Sequence, residues 1–213
     1  MSGMGKNRIR FFHYLLLSVS IVLTSCGGDD RLPVYYAMGL AENGIDTVYQ
    51  TIDDFSMTNQ SGTPISLKEV EGEILVVDFF FTSCPSICPR LSASLNRVQK
   101  VFGNSDDIRL LSFSVDPERD SVARLHEYAK KYHAIDGHWE FLTGDRKATY
   151  DLAINSFHLA AMEDAAAEGG ISHDQRFALV DKERRIRGYY DGTVEERVKQ
   201  LIRDIRTLRK EYE

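Results

Sequence analysis

The sequence predicts an α/β sandwich with a mixed central sheet, and three observations carry that prediction. Residues 74–81, Ile-Leu-Val-Val-Asp-Phe-Phe-Phe, form a short apolar run in which Asp78 is the one polar member. Such a run marks a central strand buried on both faces. Strand-like runs at 108–115 and 139–142 then alternate with stretches of helical periodicity. Residues 176–181 and 185–190 flank Lys182-Glu183-Arg184 as the two arms of an antiparallel hairpin.

Periodicity becomes regular at Thr47. Strand segments at 48–55 and 56–57 lie near the turn-rich Asn59-Gln60-Ser61-Gly62, and 65–70 is a short helical stretch. Leu91, Leu95, Val98 and Phe102 recur at helical spacing and place a helix over 89–102. Asp116-Pro117 ends the 108–115 strand. Asp120 or Ser121 can cap a helix over 122–132. A further helix is predicted over 146–157, and Gly169-Gly170 marks a flexible loop. Val194, Val198, Leu201, Ile202, Ile205 and Leu208 give a terminal amphipathic helix. Ligands gather at strand carboxyl ends in sheets of this kind, so chemistry is expected just after residue 81.

That position holds Phe81-Thr82-Ser83-Cys84-Pro85-Ser86-Ile87-Cys88-Pro89-Arg90. Cys84 and Cys88 stand four positions apart, about one helical turn, so both sulfurs can share a face. A helix N-terminus favours the thiolate, which is both nucleophile and metal ligand. Two soft sulfurs at this spacing can hold a soft metal ion or close into a disulfide. As a purely stabilising cross-link the pair would do little, because so short a loop removes little unfolded-chain entropy.

The chain has six histidines. His13 lies in the first segment. His126 and His133 fall in a charged helix and are expected at the surface. His138 is expected as a cap or surface residue, and His158 ends a predicted helix. His173 differs, because it follows Gly169-Gly170 and precedes a strand. A loop of that kind can carry a side chain to a neighbouring site.

The first segment reads as a targeting signal. Lys6, Arg8 and Arg10 precede a mostly apolar run over 11–23, which ends in Leu23-Thr24-Ser25-Cys26. The run is short for a transmembrane helix, which takes roughly 17–25 residues. Its end resembles a bacterial lipobox, in which the cysteine is lipidated. The expected organisation is a lipoprotein signal peptide over 1–25, a lipid-anchored tether over 26–46 and a folded domain over 47–213. With Cys26 lipidated, the odd cysteine is accounted for and Cys84 and Cys88 remain as a pair. Outside the cytoplasm such a pair needs a reductant or a metal to stay unoxidised. The net charge of −6 argues against nucleic-acid binding. The basic clusters at 182–187 and in the final helix are diluted by acidic neighbours and read as solvated faces.

Together these residues resemble the Sco/SenC family. The run from Phe80 to Pro89 resembles its Cys-Pro-x-x-Cys-Pro signature. Ser112-Phe113-Ser114-Val115-Asp116-Pro117-Glu118-Arg119-Asp120 resembles its Ser-Val-Asp-Pro-x-x-Asp block. Leu142-Thr143-Gly144 matches its Leu-Thr-Gly turn, and His173 falls where the family carries a metal-binding histidine. The resemblance implies a thioredoxin-like fold with an added hairpin, and copper bound by Cys84, Cys88 and His173. It implies delivery of that copper to the dinuclear site of cytochrome c oxidase subunit II, from a lipid-anchored position on the extracytoplasmic face of a bacterial membrane. Two positions depart from the family pattern. Ser86 stands where Asp is frequent, and Asp174 where Ser or Thr is frequent. Asp174 is expected to orient His173 by a hydrogen bond.

Two functions compete. One is a tethered copper chaperone, for which two thiolates and an imidazole form a ligand set suited to Cu(I). The other is a thiol-disulfide reductase that keeps the oxidase copper-site cysteines reduced, with Cys84 and Cys88 as its redox pair. Thioredoxin-type enzymes use Cys-x-x-Cys and carry a cis-proline facing the site. This chain has three residues between its thiols and no proline after Pro117, which favours the chaperone. A peroxidase of peroxiredoxin type lacks a recognisable peroxide pocket in the sequence.

Overall fold

The computed structural model describes residues 31–213, of which Leu32–Glu213 form one compact unit. The segment read as a targeting signal, with His13, and the candidate lipidation site Cys26 lie outside the described residues. A hairpin of β1 (Ala37–Leu40) and β2 (Thr47–Tyr49) comes first. β3 (Ser56–Asn59) and β4 (Pro64–Ser66) then pair across the Asn59–Gly62 turn, and a 3₁₀ turn (Leu67–Val70) replaces the predicted helical stretch. β5 (Ile74–Phe80), α1 (Ile87–Phe102), β6 (Ile108–Ser114), α2 (Val122–Lys131) and β7 (Trp139–Thr143) follow as the periodicity predicts. α3 (Arg146–Asp151) runs on as a π turn (Leu152–Ser156), so the predicted helix over 146–157 changes winding halfway. Then come β8 (Ala161–Glu163), β9 (Ile171–His173), β10 (Arg176–Val180), β11 (Ile186–Asp191) and α4 (Glu195–Lys210).

Seven strands make the main sheet in the order β11-β10-β5-β6-β7-β3-β4. β5, β6 and β7 are parallel. β10 joins β5 antiparallel, and β3 joins β7 antiparallel, so the sheet is mixed as expected. Every residue of β5 is buried. Alternation along β5 sends Phe79 to one side, where it meets Phe113 and Phe157. Phe80 goes to the other, against Tyr128 of α2 and Phe141 of β7. α1 and α2 are tied together by a Ser92–Tyr128 hydrogen bond, and Asn96 donates to the carbonyl of Tyr132 just past the end of α2. α4 buries Val198, Leu201, Ile205 and Leu208 and lies against α1 and β11.

Two features differ from the sequence reading. Leu32 and Pro33 are already bound to the fold, because Arg187 donates to both carbonyls and Tyr35 N–H donates to Ile186 O. The folded unit thus takes in residues that periodicity left before Thr47. Arg187 itself is buried, not solvated. Its guanidinium sits between Asp181 (3.1 Å) and Glu211 (2.6 Å), and each of its three nitrogens donates. A buried arginine is tolerated only with its charge and donors matched in this way.

Candidate metal centre

Thr82, just past β5, is held by a carboxylate. Its N–H and hydroxyl donate to Asp120 at 3.1 and 2.5 Å, and Ser114 donates to the same side chain at 2.6 Å. Asp120 is fully buried and caps nothing. Ser121 caps α2, accepting from Arg124 N–H. This carboxylate therefore fixes the strand exit that presents Cys84. Sequence reasoning assigned Asp120 only a capping option. Its place in the Ser114…Asp120 block was the available signal.

The chain then turns through Cys84 and Pro85 into α1. Pro89 falls in the first helical turn, where a missing N–H costs nothing. The Ser86 side chain makes no cap. Cys84 Sγ accepts from Cys88 N–H instead, at 3.4 Å, so a sulfur satisfies an orphan donor of the helix start. The Cys88 thiol, donating to Cys84, holds Cys84 far below the ordinary thiol range, at about 3. His173 and the N–H groups of Cys88 and Ser86 add to this against the opposing effect of burial. Cys88 is pushed strongly up by its role as donor to Cys84 and by burial. Both cysteines are free and buried.

His173 arrives on a ribbon. β8 and β9 pair antiparallel, with Ala161 opposite His173 and Glu163 opposite Ile171. The predicted flexible loop is thus a short two-stranded element turned at Gly169-Gly170. His173 Nε2 lies 3.2 Å from Cys88 Sγ, and Nδ1 lies 3.0 Å from the Asp174 carbonyl. A carbonyl only accepts, so Nδ1 carries the hydrogen. When Nε2 carries no proton, its lone pair faces the sulfurs as a metal ligand would. One ligand atom each from Cys84, Cys88 and His173 lies within 4.8 Å of the others. This is the one such cluster among the described residues.

Asp174 orients the ring through its backbone, not its carboxylate. The carboxylate pairs with Arg176 at 2.6 Å, which holds it below the usual carboxylate range against burial. The remaining histidines stay away from the cluster. His126 and His133 are exposed as expected. His158 stacks on Tyr36 and meets Gln50 at 2.9 Å. His138 is buried rather than superficial, and burial lowers its pKa.

Beneath the cluster, Asp78 stands opposite Ser112 in the β5–β6 register and accepts its hydroxyl at 2.5 Å. Ser112 in turn accepts from Trp139 Nε1 at 3.0 Å. Burial raises Asp78 to about 7, with the Ser112 hydrogen bond and the His173 charge opposing.

A thioredoxin-like sheet whose central strand delivers a thiol pair, shared with an imidazole from a later ribbon, defines a protein with a soft, three-ligand site. The SCO1/SenC family model matches residues 45–210, and the chain belongs to that family. It is 31% identical over 164 residues to the SCO1 protein homolog of Bacillus subtilis, covering 76% of this chain and 84% of that one. The crystal structure of a SCO1/SenC family lipoprotein from Bacillus anthracis matches with TM-score 0.68 and 28% identity, over 75% of this chain and 95% of that chain. Bradyrhizobium japonicum ScoI, solved with copper bound, matches with TM-score 0.60 and 26% identity, over 72% and 98%.

Proposed function

We propose that this protein is a copper carrier that holds one Cu(I) as cargo through Cys84, Cys88 and His173. The observation that carries the reading is the convergence of two sulfurs and one imidazole nitrogen within 4.8 Å. Soft thiolates favour Cu(I), and three ligands leave room for an incoming donor, so cargo can leave by ligand exchange. Copper-bound ScoI supports the metal. The Sco family is one of cytochrome c oxidase assembly proteins, which supports oxidase subunit II as recipient. The lipobox-like Leu23-Thr24-Ser25-Cys26 and the Bacillus anthracis lipoprotein support an anchor at Cys26, on the extracytoplasmic face of a bacterial membrane. Among the described residues no helix is long and apolar enough to cross a membrane.

Anaerobic titration of the reduced protein against a competing Cu(I) chelator tests this. One Cu(I) per chain is expected, with loss of affinity in Cys84→Ser, Cys88→Ser and His173→Ala. Unchanged affinity in His173→Ala removes the imidazole from the site.

The depressed Cys84 thiol favours a second reading, thiol-disulfide reduction of a recipient's cysteines. Cys84 thiolate would attack the target disulfide and expel one target thiolate. Cys88 would then attack Cys84 in the mixed disulfide, its proton passing to the departing second thiolate, and leave Cys84–Cys88 oxidised. A dithiol-dependent reduction that survives His173→Ala would favour this reading.

A further inference from the structure

The β8–β9 ribbon that carries His173 is seated in the core through Ala161 and Ile171, both buried, and its turn touches the body through a few further side chains. Gly169, at its turn, has φ +80° and rests on Phe81, where an added Cβ would come within 2.7 Å of the ring. Phe81 also meets the His173 ring edge-on at 5.5 Å. Besides the His173–Cys88 contact, two arginines supply polar attachments. Arg146, the first residue of α3, reaches Glu163 of β8 at 2.5 Å, Glu118 at 2.9 Å and Asp116 at 3.7 Å. Arg119 reaches Asp116 at 3.2 Å and donates to the Gly169 carbonyl at 3.4 Å.

We propose that Arg146, assisted by Arg119, latches this ribbon and thereby sets the position of His173 over the dithiol. Its role is that of a positioning residue, and its consequence for copper rests on the carrier reading above. The buried Asp116 is the fixed end of the latch, because its carboxylate is 2% exposed and faces both arginines. Glu163, on the ribbon, is the releasable end, at 68% exposure. An isolated exposed ion pair stabilises little, but charges that share one guanidinium across three chain segments act as a network. Opening the Arg146–Glu163 contact loosens the exposed end of β8, whose other end stays buried at Ala161, and the ladder from Glu163 to His173 transmits the loosening. Exposed ends make the latch sensitive to ionic strength.

Hydrogen exchange of the reduced, metal-free full chain, read peptide by peptide, tests this without copper. Glu163→Gln and Arg146→Gln are expected to speed exchange over residues 161–173 by about two- to fivefold, with β5–β7 unchanged. The double variant is expected to match Arg146→Gln, Arg146→Lys to recover part of the protection, and 1 M salt to bring wild type toward the variants. Unchanged ribbon exchange overturns the latch. So does equal acceleration throughout the sheet, which would make Arg146 a general fold residue. In the copper-loaded protein, Glu163→Gln is expected to weaken Cu(I) binding by a similar factor, and to have no effect in a His173→Ala background. If wild type holds no Cu(I), the carrier reading fails, while the exchange data still decide the latch.

Discussion

Asp78→Asn is the substitution whose effect follows most directly from the fold. Asp78 is 1% exposed on the central strand, and Ser112 donates to it. Burial raises its carboxyl to about 7, against about 3.9 in an unfolded chain. Between those values the folded state holds a proton that the unfolded state has lost. Stability is therefore full below pH 4 and falls as pH rises through 7. Three pKa units correspond to about 4 kcal/mol. Asn keeps the acceptor for Ser112 but brings an NH₂ group with no assigned partner, at a cost of about 1–3 kcal/mol. The variant is expected to be the less stable protein at pH 4.5 and the more stable one at pH 8. Urea unfolding of reduced, metal-free protein across that range measures both slopes. Parallel pH profiles for wild type and variant would refute the reasoning, since they would mean that Asp78 ionises alike in both states.

Four further outcomes are expected. Iodoacetamide should label Cys84 at rates nearly flat from pH 5 to 8, since its thiol lies at about 3. An ordinary thiol near 8.5 would react on the order of a thousandfold faster at pH 8 than at pH 5, and such a rise at Cys84 would contradict the assignment. Asp120→Ala removes the acceptor for Thr82 and Ser114 and should lower stability in thermal or urea unfolding by about 3 kcal/mol; a loss under 1 kcal/mol would show the strand exit is held otherwise. Gly169→Ala sets a methyl against Phe81 at positive φ and should destabilise by about 1–2 kcal/mol, with faster exchange confined to the ribbon. Cys26→Ala should move the protein from the membrane to the soluble fraction, and retention at the membrane would defeat the lipid-anchor proposal.

What could be read in the chain was what local pattern encodes. The run that became β5 is apolar at all but one position, so its central place follows from composition alone. Cys84 and Cys88 are near neighbours, and one helical turn brings them together whatever the tertiary fold. His173 is 85 residues from Cys88, and its approach came from family resemblance rather than spacing. The ribbon that delivers it escaped periodicity because β8 and β9 have three residues each, too few to show alternation. The docking of Leu32 and Pro33 was hidden for another reason. It uses backbone carbonyls and Arg187, and a carbonyl's partner leaves no trace in residue type. Arg187 was misread as solvated because its charge neighbours, Asp181 and Glu211, are matched in space rather than in sequence.

The most direct test of the central claim is X-ray absorption at the copper edge of anaerobically loaded, reduced protein. The account predicts one copper with two sulfur neighbours and one imidazole nitrogen, and loss of that nitrogen in His173→Ala. A wild-type shell without nitrogen, or one identical in the variant, would contradict it.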